Sequence, residues 1–139
     1  MRIQSLHSAF IMPIKASDKA GAFDIYMPEG GTAVGTSRLF GLGFTAAVPD
    51  GHVGLLLPRS GAGAKHGVEL NNTCGVIDAD YRGEWKASIR TKSGIPFSWG
   101  PGDRVLQFMI VPIADVTLEL VDSLDETERG IHGFGSTGT

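Results

Sequence analysis

Glu84-Trp85-Lys86-Ala87-Ser88-Ile89-Arg90-Thr91 is the stretch that decides the fold class. Trp85, Ala87 and Ile89 fall on one face of an extended chain and Lys86, Ser88 and Arg90 on the other, because successive strand side chains point to opposite sides. Downstream, Arg104 to Val111 is nearly all apolar and reads as a strand buried on both faces, and Val116 to Leu120 alternates again. Upstream, Ile3 to Leu6, Phe23 to Met27, Ser37 to Phe40, Phe44 to Ala47 and His52 to Leu57 are short apolar runs set between Gly, Pro and Asp. All 7 prolines fall at the ends of such runs, where a missing N–H does least harm. Only Gly61 to His66 reads as helix, and Glu29 to Thr36 reads as a surface loop. No apolar stripe of helical period exists. The pattern predicts an all-β domain, a β-sandwich or a barrel-like jelly roll (a distorted β-barrel), with one short helix.

A chain of 139 residues is one domain by length, able to bury roughly two-thirds of its unfolded surface. The 20 glycines indicate many turns and close backbone approaches. A net charge of −3 excludes a general nucleic-acid binder, so no direct nucleic-acid contact is expected. A polyanionic small ligand would need local positive charge or a metal. The single cysteine, Cys74, rules out an internal disulfide and fits a reducing compartment. The run Phe10-Ile11-Met12 stops at Pro13, so neither a signal peptide nor a membrane span is expected. The expectation is a cytoplasmic protein, cellular or viral. His7, His52, His66 and His132 show no metal-ligand spacing with Cys74, which is read as sitting among apolar strand residues.

Several motifs carry chemistry. Gly75-Val76-Ile77-Asp78-Ala79-Asp80-Tyr81-Arg82-Gly83-Glu84 begins as a strand and then gathers two acids, a phenol and a guanidinium. It is either turn chemistry or a ligand site holding a proton acceptor and a flat ring. Pro58-Arg59-Ser60-Gly61 is a phosphate cradle at a helix start or a strand-to-helix turn capped by Ser; the residues alone favour the turn. Gln107, a polar residue in an apolar strand, bonds to a neighbouring strand or faces a ligand. Asp103 and Arg104 read as a structural pair, with each other or a neighbour. Gly63-Ala64-Lys65-His66 is no P-loop, since neither Ser nor Thr follows the lysine. From Arg129 the chain is Gly-rich and cannot form a core element; it is a disordered end, or an arm whose Phe134 packs elsewhere.

In this order the pieces resemble the homotrimeric all-β dUTPases (deoxyuridine triphosphate nucleotidohydrolases). The five motifs are Ala20-Gly21-Ala22-Phe23-Asp24-Ile25; Pro58-Arg59-Ser60-Gly61 with Lys65, His66 and Gly67; Asn72 with Gly75 to Glu84; Gly102-Asp103-Arg104 with Gln107; and Arg129-Gly130 with Gly133 to Gly138. The resemblance implies a β-clip domain over 1–128 and a flexible C-terminal arm, 129–139, that closes over an active site. It implies three subunits sharing three sites: one chain supplies the first, second and fourth motifs, another the third, and another the arm. The implied reaction is Mg²⁺-assisted attack of water on the α-phosphate of dUTP, giving dUMP and pyrophosphate. This keeps uracil out of DNA and supplies dUMP for dTMP synthesis.

By the same resemblance Asp78 deprotonates the water, and Tyr81 packs under the deoxyribose. Asn72 and the backbone of Gly75, Val76 and Ile77 read uracil. Arg59, Ser60, Gly61 and Gln107 hold phosphates, and Asp24 acts on Mg²⁺ through water. Arg129 clamps the γ-phosphate, Phe134 stacks on uracil, and Gly135, Ser136 and Thr137 meet the phosphates. Two residues depart from the pattern: Ala22 and His132 each stand where the family has Gly. A dCTP deaminase shares the implied fold but lacks the Asp-x-Asp-Tyr pattern and the arm. A nucleotide-gated regulator would need an added partner surface, and an inactive trimer would leave Asp78, Gln107, Arg129 and Phe134 without a reason.

Overall fold

The structure, a computed structural model, describes residues 1–92 and 94–132. Its elements are β1 (Arg2–Ser5), β2 (Phe23–Tyr26), β3 (Gly31–Ala33), β4 (Arg38–Gly41), β5 (Phe44–Ala47), β6 (His52–Pro58), α1 (Ser60–His66), β7 (Val68–Leu70), β8 (Gly75–Ile77), β9 (Lys86–Thr91), β10 (Phe97–Trp99) and β11 (Arg104–Pro112). All pairings are antiparallel and form four small sheets, ordered β1-β5, β10-β3, β2-β11-β6-β8 and β4-β9-β7. The all-β fold with one short helix is as expected. Among the described residues no helix is long and apolar enough to cross a membrane.

The alternation in Glu84–Thr91 survives folding. Trp85, Ala87, Ile89 and Thr91 are buried, while Lys86 is exposed and Ser88 and Arg90 are half-buried. β11 is buried on both faces only at its start: Val105 and Leu106 are consecutive and buried, whereas Met109, Ile110 and Val111 are half-buried. The core is tied together by rings from different sheets. Phe44 of β5 and Phe108 of β11 each lie 5.2 Å, centroid to centroid, from Trp85, and Phe23 of β2 stacks on Phe108 at 5.2 Å. Such aromatic contacts add to an already large buried area.

Four expectations are corrected. Val116 to Leu120 forms no strand; Leu118 is 93% exposed and Leu120 101%. The alternation is present, but the chain offers those backbone groups no partner, and a lone strand is not stable in water. The Glu29–Thr36 loop contains β3, held against β10, where the Trp99 and Phe40 rings occupy the space a side chain on Gly31 would need. Cys74 lies in the bend before β8, not within a strand. Finally, Ser60 does not cap α1: Arg59 takes the N-cap position and no side chain bonds the helix start. The other end is closed by Gly67 at φ 64°, whose N–H donates to Gly63 O at 2.9 Å.

Phe108→Ala removes the ring shared by Phe23, Phe44 and Trp85 and is expected to cost about 3–5 kcal/mol in urea unfolding. A loss under about 1 kcal/mol would place the core elsewhere.

Candidate active site

The sheet β2-β11-β6 assembles the first cluster. Gln107 of β11 stands opposite Asp24 of β2 on one side and Leu57 of β6 on the other. Arg104 stands opposite Tyr26, and the β2 register shifts between Arg104 and Leu106. In a regular strand Arg104 and Gln107, three apart, would face opposite ways. The irregularity lets both face the side of the sheet that carries Asp24 and Tyr26. The result is an ion-pair cluster. The buried Asp24 accepts from Arg59 Nε at 2.8 Å through Oδ1 and from Arg104 Nη1 at 3.1 Å through Oδ2. Arg59 Nη1 also donates to the Arg104 carbonyl at 3.2 Å.

Gln107 Nε2 donates to Pro58 O at 3.0 Å, so the amide does serve a neighbouring strand, and in doing so fixes the chain just before Arg59 and Ser60. Ser60 and Gly61 are exposed at the start of α1. Asp103 does not pair with Arg104; its Oδ2 accepts from Gly100 N at 2.7 Å. Asp24, Arg59, Ser60, Gly61 and Gln107 are thus brought together. Arg104, read from sequence as merely structural, belongs with them. Its signal was the Gly-Asp-Arg entry to an apolar strand, but the change of facing that aims it is invisible to a period-two pattern.

The second cluster hangs from β8, which pairs with β6 through Leu56↔Gly75 and Gly54↔Ile77. A Cβ on Gly75 would sit 2.9 Å from Leu56 Cβ, so glycine sets how close the strands lie. Just before β8, Asn72 Nδ2 donates to Cys74 O at 3.0 Å, and Thr73 has φ 66°, the only positive φ at a non-glycine among the described residues. Val76 is exposed, and the outer edge of β8 has no partner strand among the described residues. Asp78 is exposed and makes no ion pair among the described residues. The Tyr81 hydroxyl donates to Glu84 O at 3.0 Å, and its ring fills the space that a side chain on Gly83 would take. Arg82 Nη1 donates to Ala79 O at 2.6 Å and Tyr81 O at 2.9 Å, fastening the loop that presents Asp78 and Tyr81.

Asp78 does not meet the first cluster within one chain. The β8 register runs on so that Asp78 falls at the Val53 end of β6, whereas Arg59 and Ser60 leave its Pro58 end. Five residues of strand separate those ends, roughly 17 Å. The third group lies further along. Arg129 Nε donates to His132 O at 3.0 Å, in a turn where Gly130 takes φ 53°. His132 is not at positive φ, so its replacement of Gly brings no backbone strain here. Ala22 is half-buried in the bend before β2. Phe134, Gly135, Ser136 and Thr137 lie outside the described residues.

Among the described residues no three His, Cys, Asp or Glu side chains converge as a metal cage. Asp24 is the carboxylate of the first cluster, and each oxygen already accepts from one guanidinium. Each keeps a lone pair, which suits a metal-bound water and fits an ion held mainly by a ligand's own phosphates.

The dUTPase family model matches residues 8–138. A deoxyuridine 5'-triphosphate nucleotidohydrolase of Syntrophotalea carbinolica is 41% identical over 141 residues, covering 99% of this chain and 96% of the relative. Among solved structures, a variant of the Staphylococcus bacteriophage 80alpha dUTPase with dUpNHpp superposes with a TM-score of 0.89 at 24% identity, covering 99% of this chain and 98% of the other. A variant dUTPase from phage phi11 of S. aureus, described with a structural Mg(II) ion, superposes with a TM-score of 0.78 at 22% identity, covering 88% and 96%. Both likenesses agree with the β-clip jelly roll expected from the sequence.

Gly75→Ala forces β8 off β6 and is expected to cost about 1–3 kcal/mol in chemical unfolding. Gly61→Ala meets open space and should leave stability unchanged or slightly higher. Equal losses in both variants would refute the role given to the β6–β8 contact.

Proposed function

The chain belongs to the dUTPase family and hydrolyses dUTP to dUMP and pyrophosphate, and from this premise we propose that its active site is divided among three copies of the chain. One copy supplies Asp24, Arg59, Ser60, Gly61 and Gln107. A second supplies Asn72, Gly75, Val76, Ile77, Asp78 and Tyr81, and a third the arm 129–139. The observation that carries this reading is the separation of Asp78 from Arg59 and Ser60 along β6, which leaves the proton acceptor far from the phosphate side of its own chain. Homotrimer formation is supported by the exposed apolar residues Ile113, Val116, Leu118, Leu120 and Leu124, which a second copy would cover.

In this reading the α-phosphate of dUTP lies where Asp78 from one copy faces Ser60 and Gln107 of another. Asp78, exposed and without an ion-pair partner among the described residues, takes the proton of the attacking water. Tyr81 has committed its hydroxyl to Glu84 O, so it presents a flat wall to the deoxyribose and leaves no room for a 2′-hydroxyl. Uracil has alternating donors and acceptors; the Asn72 amide and the outer edge of β8 at Gly75, Val76 and Ile77, which has no partner strand among the described residues, match them. Arg59, Ser60 and the Gly61 N–H hold phosphate oxygens, and Gln107 braces them.

Asp24 would reach an Mg²⁺ ion through that ion's waters, and the ion would supply charge neutralisation for the leaving pyrophosphate. Arg129 meets the γ-phosphate, Phe134 covers uracil, and Gly135, Ser136 and Thr137 close on the phosphates, excluding bulk water. Removing dUTP keeps uracil out of DNA and supplies dUMP for dTMP synthesis. A cytoplasmic place of action agrees with the single, unpaired cysteine.

Asp78→Asn is expected to lower pyrophosphate release at least 100-fold while dUTP binding persists. Co-refolding it with an inactive Arg59→Ala chain should restore part of the activity, because some sites then combine intact halves. No recovery on mixing would mean that each chain holds a whole site. Truncation after Glu128 should cut turnover at least 100-fold and leave the trimer intact by light scattering; full activity of the truncated chain would remove the arm from the mechanism.

A further inference from the structure

Asp24 is the only charged residue that is buried among the described residues, at 5% exposure, and its two partners come from distant parts of the chain. Arg59 follows β6 and Arg104 opens β11, and the Arg59 bond to the Arg104 carbonyl closes the cluster. The carboxylate lies beneath, 7% exposed in its side chain, while the guanidiniums above it are 32% and 39% exposed. Arg104 is also braced over the Tyr26 ring, 5.9 Å from its centroid. The trio carries a net charge of +1 beside Ser60 and Gln107. Arg59 spends two of its five N–H donors on protein atoms and keeps three for another ligand.

We infer that Asp24 and Arg104 are positioning residues that hold Arg59 in its phosphate-facing orientation before any metal arrives. The inference rests on the dUTP reading and extends it to Arg104. A free arginine would lose side-chain entropy on meeting the nucleotide, and one already gripped at Nε and Nη1 has lost most of it during folding. Asp24 therefore contributes to affinity even when its carboxylate has no metal-bound water to touch. Arg104 is the counterweight: it takes the second carboxylate oxygen and so keeps the first turned toward Arg59 Nε.

The test is calorimetric titration of the trimeric protein with dUpNHpp, in EDTA and in Mg²⁺, for the unaltered protein, Asp24→Asn, Arg104→Gln and the double variant. Asp24→Asn should weaken metal-free binding at least tenfold and Arg104→Gln several-fold, with the double variant no weaker than Asp24→Asn alone. Normal binding by both single variants in EDTA, with a loss confined to Mg²⁺, would overturn the inference and leave Asp24 acting through the metal's waters. A lowered Tm with unchanged metal-free affinity would also overturn it, since the cluster would then serve stability alone. Arg104→Gln leaves Asp24 paired with Arg59 and carries the test if Asp24→Asn does not fold. If the unaltered protein bound no dUpNHpp in either condition, the dUTP reading would fail, and this inference with it.

Discussion

The rest of the structure depends on β11 being paired along both edges, with β2 on one side and β6 on the other. Strand register is strict where a face is buried, because a slip of one residue turns every side chain over. Here the register does two things at once. It delivers Phe108 to the rings of Phe23, Phe44 and Trp85, and it sets Gln107 beside Asp24 and behind Pro58. The core and the Asp24–Gln107 side of the sheet are therefore aligned by the same hydrogen bonds. The irregularity at the start of β11 adds the third member, letting Arg104 share the Asp24 side with Gln107.

Much of this was legible before any coordinates. Phe44–Ala47 is a strand with the expected ends, and the Glu84–Thr91 alternation matches the observed burial residue by residue. What escaped did so for physical reasons. β3, β7 and β10 have three residues each, too few for a period to show. Val116 to Leu120 has the period but no pairing edge in its own chain, and a strand is a property of two segments, not one. Gln107 was read as serving a neighbouring strand or a ligand; its bond to Pro58 O establishes the first role. Asp103 and Arg104 each pair with a neighbour, one of the two expected outcomes; which neighbour Arg104 meets depends on a change of strand register that composition does not show.

The loop after β8 is braced from several sides. Arg82 fastens the loop through two carbonyls, Glu84 O receives the Tyr81 hydroxyl, and Thr45 Oγ1 donates to Arg82 O at 2.8 Å. None of these contacts involves Asp78, whose carboxylate projects from the braced turn without an ion-pair partner among the described residues. Asp24 and Asp78 thus sit in opposite surroundings, the first buried between two arginines, the second exposed and without an ion-pair partner among the described residues.

Charge is distributed to the same effect. Acidic residues Asp115, Glu119, Asp122, Asp125, Glu126 and Glu128 lie in the exposed stretch after Pro112, and among the described residues Arg59 and Arg104 ion-pair with Asp24 instead. A net charge of −3 is no obstacle to a triphosphate, because the guanidiniums of Arg59 and Arg104 supply positive charge locally. The same stretch carries Leu118, Leu120 and Leu124 in the open. Covering those leucines releases hydrophobic free energy of about 25 cal/mol per Å². An assembly that covers them while bringing one chain's Asp78 to another chain's Arg59 and Ser60 would draw stability and the completed site from one association. Protomer concentration would then govern both together.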